Sequence, residues 1–185
     1  FTSSPGRPPA DLPVDRALGS GGATRYLDCI RETIIPGVES RYRLDPGQRM
    51  LIGYSLGGLF ACTVLLRRPE IFARTLVISP SLWWDEEAIL RDEAAWAEGH
   101  ADLPAKVAFV AGGEEESPGG GWENNLAEAV MARLAIVTRV RTLHERLRGR
   151  AYPGLRQSLR LTPEGRHISH LPNALALGLI DAFAL

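Results

Sequence analysis

Met50-Leu51-Ile52-Gly53-Tyr54-Ser55-Leu56-Gly57-Gly58-Leu59-Phe60 sets a serine between glycines, directly after an apolar run and directly before a run with helical character. A G-x-S-x-G pattern at such a junction is the sequence form of a nucleophile elbow, in which a serine occupies a strained strand-to-helix turn with its hydroxyl outward. The glycines answer a steric need, because side chains at Gly53 and Gly57 are expected to collide where strand and helix cross. The pattern alone is short enough to arise by chance, so the strand, turn and helix around it carry the weight.

Working outward, residues 49–54 read as a buried parallel strand and 57–68 as a helix apolar on most faces, sandwiched between layers, with Pro69 just past its end. R-T-L-V-I-S at 74–79 reads as a second buried strand, followed by a loop with Trp83 and Trp84 at the strand end where ligands bind in open parallel sheets. A polar helix is expected over 85–96, and K-V-A-F-V-A at 106–111 is the third strand, followed at once by Glu114, Glu115 and Glu116. After a flexible S-P-G-G-G loop at 117–121, Leu126, Val130, Leu134, Val137, Val140 and Leu147 form one stripe of a long helix. Residues 156–161 alternate as a fourth strand, 163–172 form a loop with His167 and His170, and a closing apolar helix follows.

Upstream of the elbow, residues 1–22 are rich in Gly, Pro and Ser and read as a surface loop or flexible linker. Helical spacing begins near Ala23 with Tyr26, Leu27, Ile30 and Ile34, and Pro36 is expected to kink or restart that helix before an Asp45-Pro46-Gly47 turn. Strands alternating with helices predict an α/β fold, a parallel sheet covered by helices on both faces, in a single domain over 1–185. The elbow strand is the first of only four, so the domain is expected to lack N-terminal strands ahead of Phe1.

Composition narrows the function classes. With 21 Lys and Arg against 22 Asp and Glu, the net charge of −1 lacks the basic surplus of a nucleic-acid binder. No apolar run approaches a bilayer span, so no membrane partner is expected. Cys29 and Cys62 fall in helical segments as small buried thiols and make neither a disulfide framework nor a metal site. They leave the compartment open between cytoplasm and periplasm.

Activating a serine hydroxyl at neutral pH requires a base in hydrogen-bond reach and an acid that orients the base. Of the four histidines, His100 sits in a polar linker and His144 on the long helix, leaving His167 and His170 after the last strand. The chain order of serine, acidic cluster and histidine loop is that of α/β-hydrolases.

The combination of G-Y-S-L-G-G-L-F at 53–60, S-P-S-L-W-W at 79–84, G-E-E-E at 113–116 and H-I-S-H-L-P at 167–172 resembles the bacterial esterases of the esterase D type. Within them it is most similar to siderophore trilactone esterases, which hydrolyse enterobactin-like and salmochelin-like cyclic esters. The likeness covers almost the whole chain and is weakest over about 137–158. It implies an α/β-hydrolase fold, Ser55 as nucleophile and His167 as general base, with His170 where an apolar residue is commoner. By the G-x-x-E spacing the acid is Glu116, with Glu114 or Glu115 as substitutes, although some trilactone esterases work with a Ser-His pair. Tyr54 replaces a histidine common before the nucleophile and packs behind the elbow.

The backbone N–H of Leu56 is the expected oxyanion donor, and a second donor normally comes from a loop after an early strand. Tyr54, Trp83 and Trp84 are the expected substrate contacts, the indoles offering stacking surfaces for an aromatic acyl group. The reading is a serine esterase for small-molecule esters, needing neither metal nor organic cofactor and leaving the oligomeric state open. Thioesterases and acyltransferases share this machinery. The alternative from another class is a catalytically weak ligand-binding protein with the same fold.

Overall fold

The computed structural model describes Thr2 and residues 4–6, 20–117 and 133–185. Its centre is a parallel sheet of β1 (Met50–Tyr54), β2 (Arg74–Ile78), β3 (Lys106–Gly112) and β4 (Arg156–Thr162), ordered β1-β2-β3-β4. Register runs straight across it, Tyr54 opposite Ile78, Ile78 opposite Val110, and Gly112 opposite Thr162. The C-terminal ends of all four strands therefore lie on one side of the sheet.

Alternation along the strands divides the core into two layers. Val77, Val107 and Phe109 face α3 (Leu56–Arg67), α4 (Ala88–Gly99) and α5 (Ile136–Gly149), meeting Leu65, Ile89, Val140 and Leu143. Leu76, Ile78, Ala108 and Val110 face α6 (Leu171–Ala184), packing on Ala174 and Ala182. Helix α3 is buried from Gly58 through Leu66, because the sheet covers one side while α1 (Ala23–Cys29) meets its Phe60 and Val64. This matches the sandwiched helix expected from its composition.

Several expectations are adjusted by the structure. Among the described residues β1 pairs with β2 alone, and Ile52 is 45% exposed where a buried strand was expected. The helix restarts at Pro36, as expected: a π-helical turn (Ile30–Ile34) precedes it and α2 (Ile35–Glu39) begins beside it. Proline has no N–H for the carbonyl four residues back and crowds that carbonyl, so the widened turn accommodates the ring.

The polar helix begins at Ala88, three residues later than predicted, because Asp85, Glu86 and Glu87 all have left-handed backbones. Arg91 holds that turn by donating to the carbonyls of Asp85 and Glu86. Ala135 is also left-handed, so the predicted long helix breaks there before α5; Leu126 and Val130 lie outside the described residues, as does 118–121 of the glycine-rich loop. Cys62 is buried as expected, but Cys29 is exposed. In the N-terminal stretch, Thr2 is buried and docked on the start of α1, its carbonyl and hydroxyl accepting from Ala23 and Gly21. Residues 7–19 of that stretch lie outside the described residues.

Two ion-pair clamps fasten helices to the frame. Glu93 of α4, its side chain fully buried, receives Arg146 at 2.9 Å and Arg150 at 2.8 Å, joining α4 to the end of α5. Arg160 of β4 makes a two-point contact with Asp181 of α6 at 2.6 Å to each oxygen. Among the described residues no helix is long and apolar enough to cross a membrane.

Candidate active site

Ser55 occupies the turn between β1 and α3 with φ 56° and ψ −118°, a conformation a non-glycine residue adopts only when its surroundings impose it. Hydrogen bonds impose it here. The Ser55 N–H donates to the Ile78 carbonyl, and its own carbonyl accepts from Leu59 and Ser81, each at 3.0 Å. A Cβ on Gly53 would come within 2.1 Å of the Gly57 carbonyl oxygen, which accounts for that glycine. The same need was expected at Gly57, but a Cβ there meets nothing within 4 Å; Gly58 is the second crowded position, 2.9 Å from Pro80.

His167 follows β4 and brings its Nε2 to 3.1 Å from Ser55 Oγ. Its Nδ1 lies 2.8 Å from Oε2 of Glu115, which follows β3. Both side chains are buried, whereas Ser55 is only half-buried. Burial would push the Glu115 carboxyl pKa up, but the hydrogen bonds of His167 and His170, the charge of His167 and the Ser79 hydroxyl outweigh it and hold the pKa at about 2. A carboxylate only accepts, so the His167 proton belongs on Nδ1 and the Nε2 lone pair faces the serine hydroxyl. A second hydroxyl, Ser81 Oγ, lies 3.3 Å from Ser55 Oγ.

The other carboxylate oxygen, Glu115 Oε1, accepts from the Gly112 N–H at 2.6 Å and from Ser79 Oγ at 2.5 Å. His170 reaches the same place, its Nε2 2.8 Å from Ser79 Oγ and 3.1 Å from Glu115 Oε1. Two backbone bonds join the acid loop to the histidine loop, Gly113 N–H to the Thr162 carbonyl and Glu114 N–H to the Gly165 carbonyl.

The structure thus brings Ser55, His167 and Glu115 together and turns the other glutamates away. Glu116, the acid expected from spacing, accepts instead from the backbone N–H and hydroxyl of Thr138 in α5, and Glu114 is exposed. A tight turn carries all three glutamates, so one residue of offset reverses a side chain's direction, and counting from the glycine cannot resolve it. Leu56 is the first residue of α3, where a helix leaves its N–H groups without intrahelical partners.

The expected substrate contacts are rearranged. Trp84 is 4% exposed within the core, and Trp83 packs against the same core, with both indole nitrogens buried. Tyr54 turns its hydroxyl to the His167 carbonyl at 2.8 Å. His100 stacks on Trp96 and His144 meets the edge of Phe109, both away from this cluster. Sequence reasoning gave no role to Ser79, Ser81 or Thr162; the available signal was a polar residue closing or following an apolar strand at the sheet's ligand-binding end. Among the described residues no three His, Cys, Asp or Glu side chains converge as a metal-binding group.

A parallel sheet between helical layers, with the serine turn, the carboxylate and the histidine at its C-terminal ends, is an α/β-hydrolase fold. The solved siderophore hydrolase EstA from Aspergillus nidulans superposes with a TM-score of 0.77 at 25% identity, over 94% of this chain and 62% of that one. Residues 7–167 match the family described as "Putative esterase", and the chain belongs to that family. It is 31% identical over 129 residues to the siderophore triacetylfusarinine C esterase of Aspergillus fumigatus, covering 67% of this chain and 44% of that protein. It is 32% identical over 120 residues to the ferri-bacillibactin esterase BesA of Bacillus subtilis, covering 64% and 41%. Within the family its likeness is to siderophore esterases, and this chain spans less than half the length of these two relatives.

Proposed function

We propose that the protein hydrolyses carboxylic esters of small molecules through an acyl-enzyme on Ser55. The observation that carries this reading is the single imidazole of His167, bridging Ser55 Oγ at 3.1 Å and Glu115 Oε2 at 2.8 Å. Ser55 Oγ bonds to the ester carbonyl carbon while its proton passes to His167 Nε2. Glu115, ionised at neutral pH, stabilises the imidazolium and keeps its plane aimed at the serine. The Leu56 N–H at the start of α3 donates to the developing oxyanion. His167 then returns the proton to the departing alkoxide; a water deprotonated by the same nitrogen attacks the acyl carbon, the bond to Ser55 Oγ breaks, and His167 hands the proton back to that oxygen as the acid leaves.

For the substrate class we infer siderophore-type esters, on the strength of the two siderophore esterases to which the chain is 31% and 32% identical. Burst kinetics with a p-nitrophenyl ester test the chemistry. Ser55→Ala and His167→Ala are each expected to abolish turnover, and unchanged hydrolysis in Ser55→Ala overturns the reading. Comparing a catecholate trilactone with the chromogenic ester tests the substrate class: a kcat/KM no higher for the trilactone argues against it.

A further inference from the structure

We propose that His170 is a positioning residue for Glu115, the second imidazole on that carboxylate and part of a proton-ordered chain running Thr162, His170, Ser79, Glu115. The inference rests on the catalytic reading of Ser55, His167 and Glu115 given above.

The direction of every bond in the chain follows from the carboxylate. Glu115 Oε1 can only accept, so the Ser79 hydroxyl, 2.5 Å away, donates to it. The Ser79 oxygen is then an acceptor for His170 Nε2 at 2.8 Å, and the same N–H leans toward Glu115 Oε1 at 3.1 Å. With the proton on Nε2, His170 Nδ1 accepts from the Thr162 hydroxyl at 3.1 Å, nearer than that hydroxyl's other acceptor, the Ala111 carbonyl at 3.4 Å. With His170 neutral, this assignment of protons satisfies all four residues.

Three features separate this chain from ordinary core filling. Ser79, Thr162, His170 and Glu115 are all at most 5% exposed, where a mismatched donor has no water to fall back on. Ser79 also has a left-handed backbone, φ 42°, an unfavourable conformation for serine that accompanies the aim of its hydroxyl at both partners. Finally, the side chain of His170 is separable from its place in the fold. Its backbone N–H bonds to Arg166 and its carbonyl accepts from Ala174 at the start of α6, whatever the side chain.

Gly112, Ser79 and His170 together occupy Glu115 Oε1 and leave Oε2 directed at His167. Without the imidazole the carboxylate is held from one side fewer, and the orientation of the base loosens with it. KM is expected to change little, because His170 meets Ser79 and the Glu115 oxygen that does not face His167.

The test uses the protein as its gene encodes it, with His170→Leu, His170→Gln, Ser79→Ala and Ser55→Ala assayed on a p-nitrophenyl ester beside thermal unfolding. His170→Leu is expected to lower kcat roughly 10–100-fold with KM within about twofold, the loss of a hydrogen bond to a charged group. His170→Gln, which returns an N–H to the Nε2 position, is expected to recover most of that loss. Ser79→Ala, smaller and less prone to misfold, should lower kcat in the same sense, and His170→Leu added to Glu115→Gln should lower it no further. Wild-type kcat in His170→Leu overturns the inference, as does an equal loss in the Leu and Gln variants. An inactive Ser55→Ala beside a fully active His170→Leu removes this inference alone, whereas an active Ser55→Ala removes the catalytic reading beneath it.

Discussion

The hydroxyl of Tyr54 donates to the backbone carbonyl of His167 at 2.8 Å, and the two rings lie 4.9 Å apart, although 113 positions separate them. The residue preceding Ser55 therefore helps fix the loop that carries the histidine. Burial, and to a lesser extent the Glu115 charge, push the tyrosine pKa well up, so it remains a donor throughout the working range. Tyr54→Phe keeps the ring and removes the donor, a change worth about 1 kcal/mol, or roughly fivefold. The expected result is a several-fold fall in kcat with little change in KM, read by steady-state kinetics.

Glu115 and Glu116 are adjacent but face different partners, so their variants should separate sharply. Glu115→Gln presents an amide where an acceptor is needed and is expected to lower kcat roughly a thousand- to ten-thousand-fold, as the same type of change does in a serine-protease triad. Glu116→Gln should leave kcat within about twofold, since its contacts are with Thr138 on α5.

The same carboxylate predicts a pH dependence of stability. Its folded-state pKa of about 2 lies below the ordinary value of 4.5 for a glutamate, so the ionised form is favoured by folding. This contribution is fully present above about pH 4.5 and is lost as pH falls toward 2. Denaturant melts of wild type and Glu115→Gln should therefore differ most near neutrality and converge through that window.

At the elbow, two glycines of the same motif should respond oppositely. Gly53→Ala drives a methyl into the Gly57 carbonyl and is expected to destabilise by about 3 kcal/mol or more and to displace Ser55. Gly57→Ala enters open space on a helix and should be neutral or stabilising by up to about 1 kcal/mol. Urea melts with parallel activity assays distinguish the two.

The buried Glu93 clamp allows an ordering to be predicted. Removing the acid in Glu93→Gln costs roughly 1–3 kcal/mol, because both arginines can turn to solvent. Removing both arginines strands the carboxylate in the core and should lower the thermal midpoint further than Glu93→Gln does.

Much of this was legible from residues alone where one signal dominated. The apolar runs at 74–79 and 106–111 have only buried strand positions to occupy, and the structure has strands at both. The serine of the elbow and the histidine of the loop after β4 are brought within hydrogen-bond distance of one another. What the sequence concealed depends on direction within a turn or on neighbours distant along the chain. Three consecutive glutamates cannot disclose which one points inward, and Trp84 enters the core because Leu82, Ile89 and Leu103 surround that region. The histidine–serine–carboxylate chain was hidden for the same reason, since Ser79, Glu115, Thr162 and His170 belong to separate strand ends and loops.

Because β1, β2, β3 and β4 each deliver polar groups to one row, the groups of the candidate site are strung across all four described strands. No two neighbouring strands hold a complete set. A slip between any pair would part the serine from its base or the carboxylate from its supports, so partly unfolded forms should be silent. Ester turnover would then serve as an all-or-none gauge of the native sheet, vanishing in one transition with the backbone signal on heating.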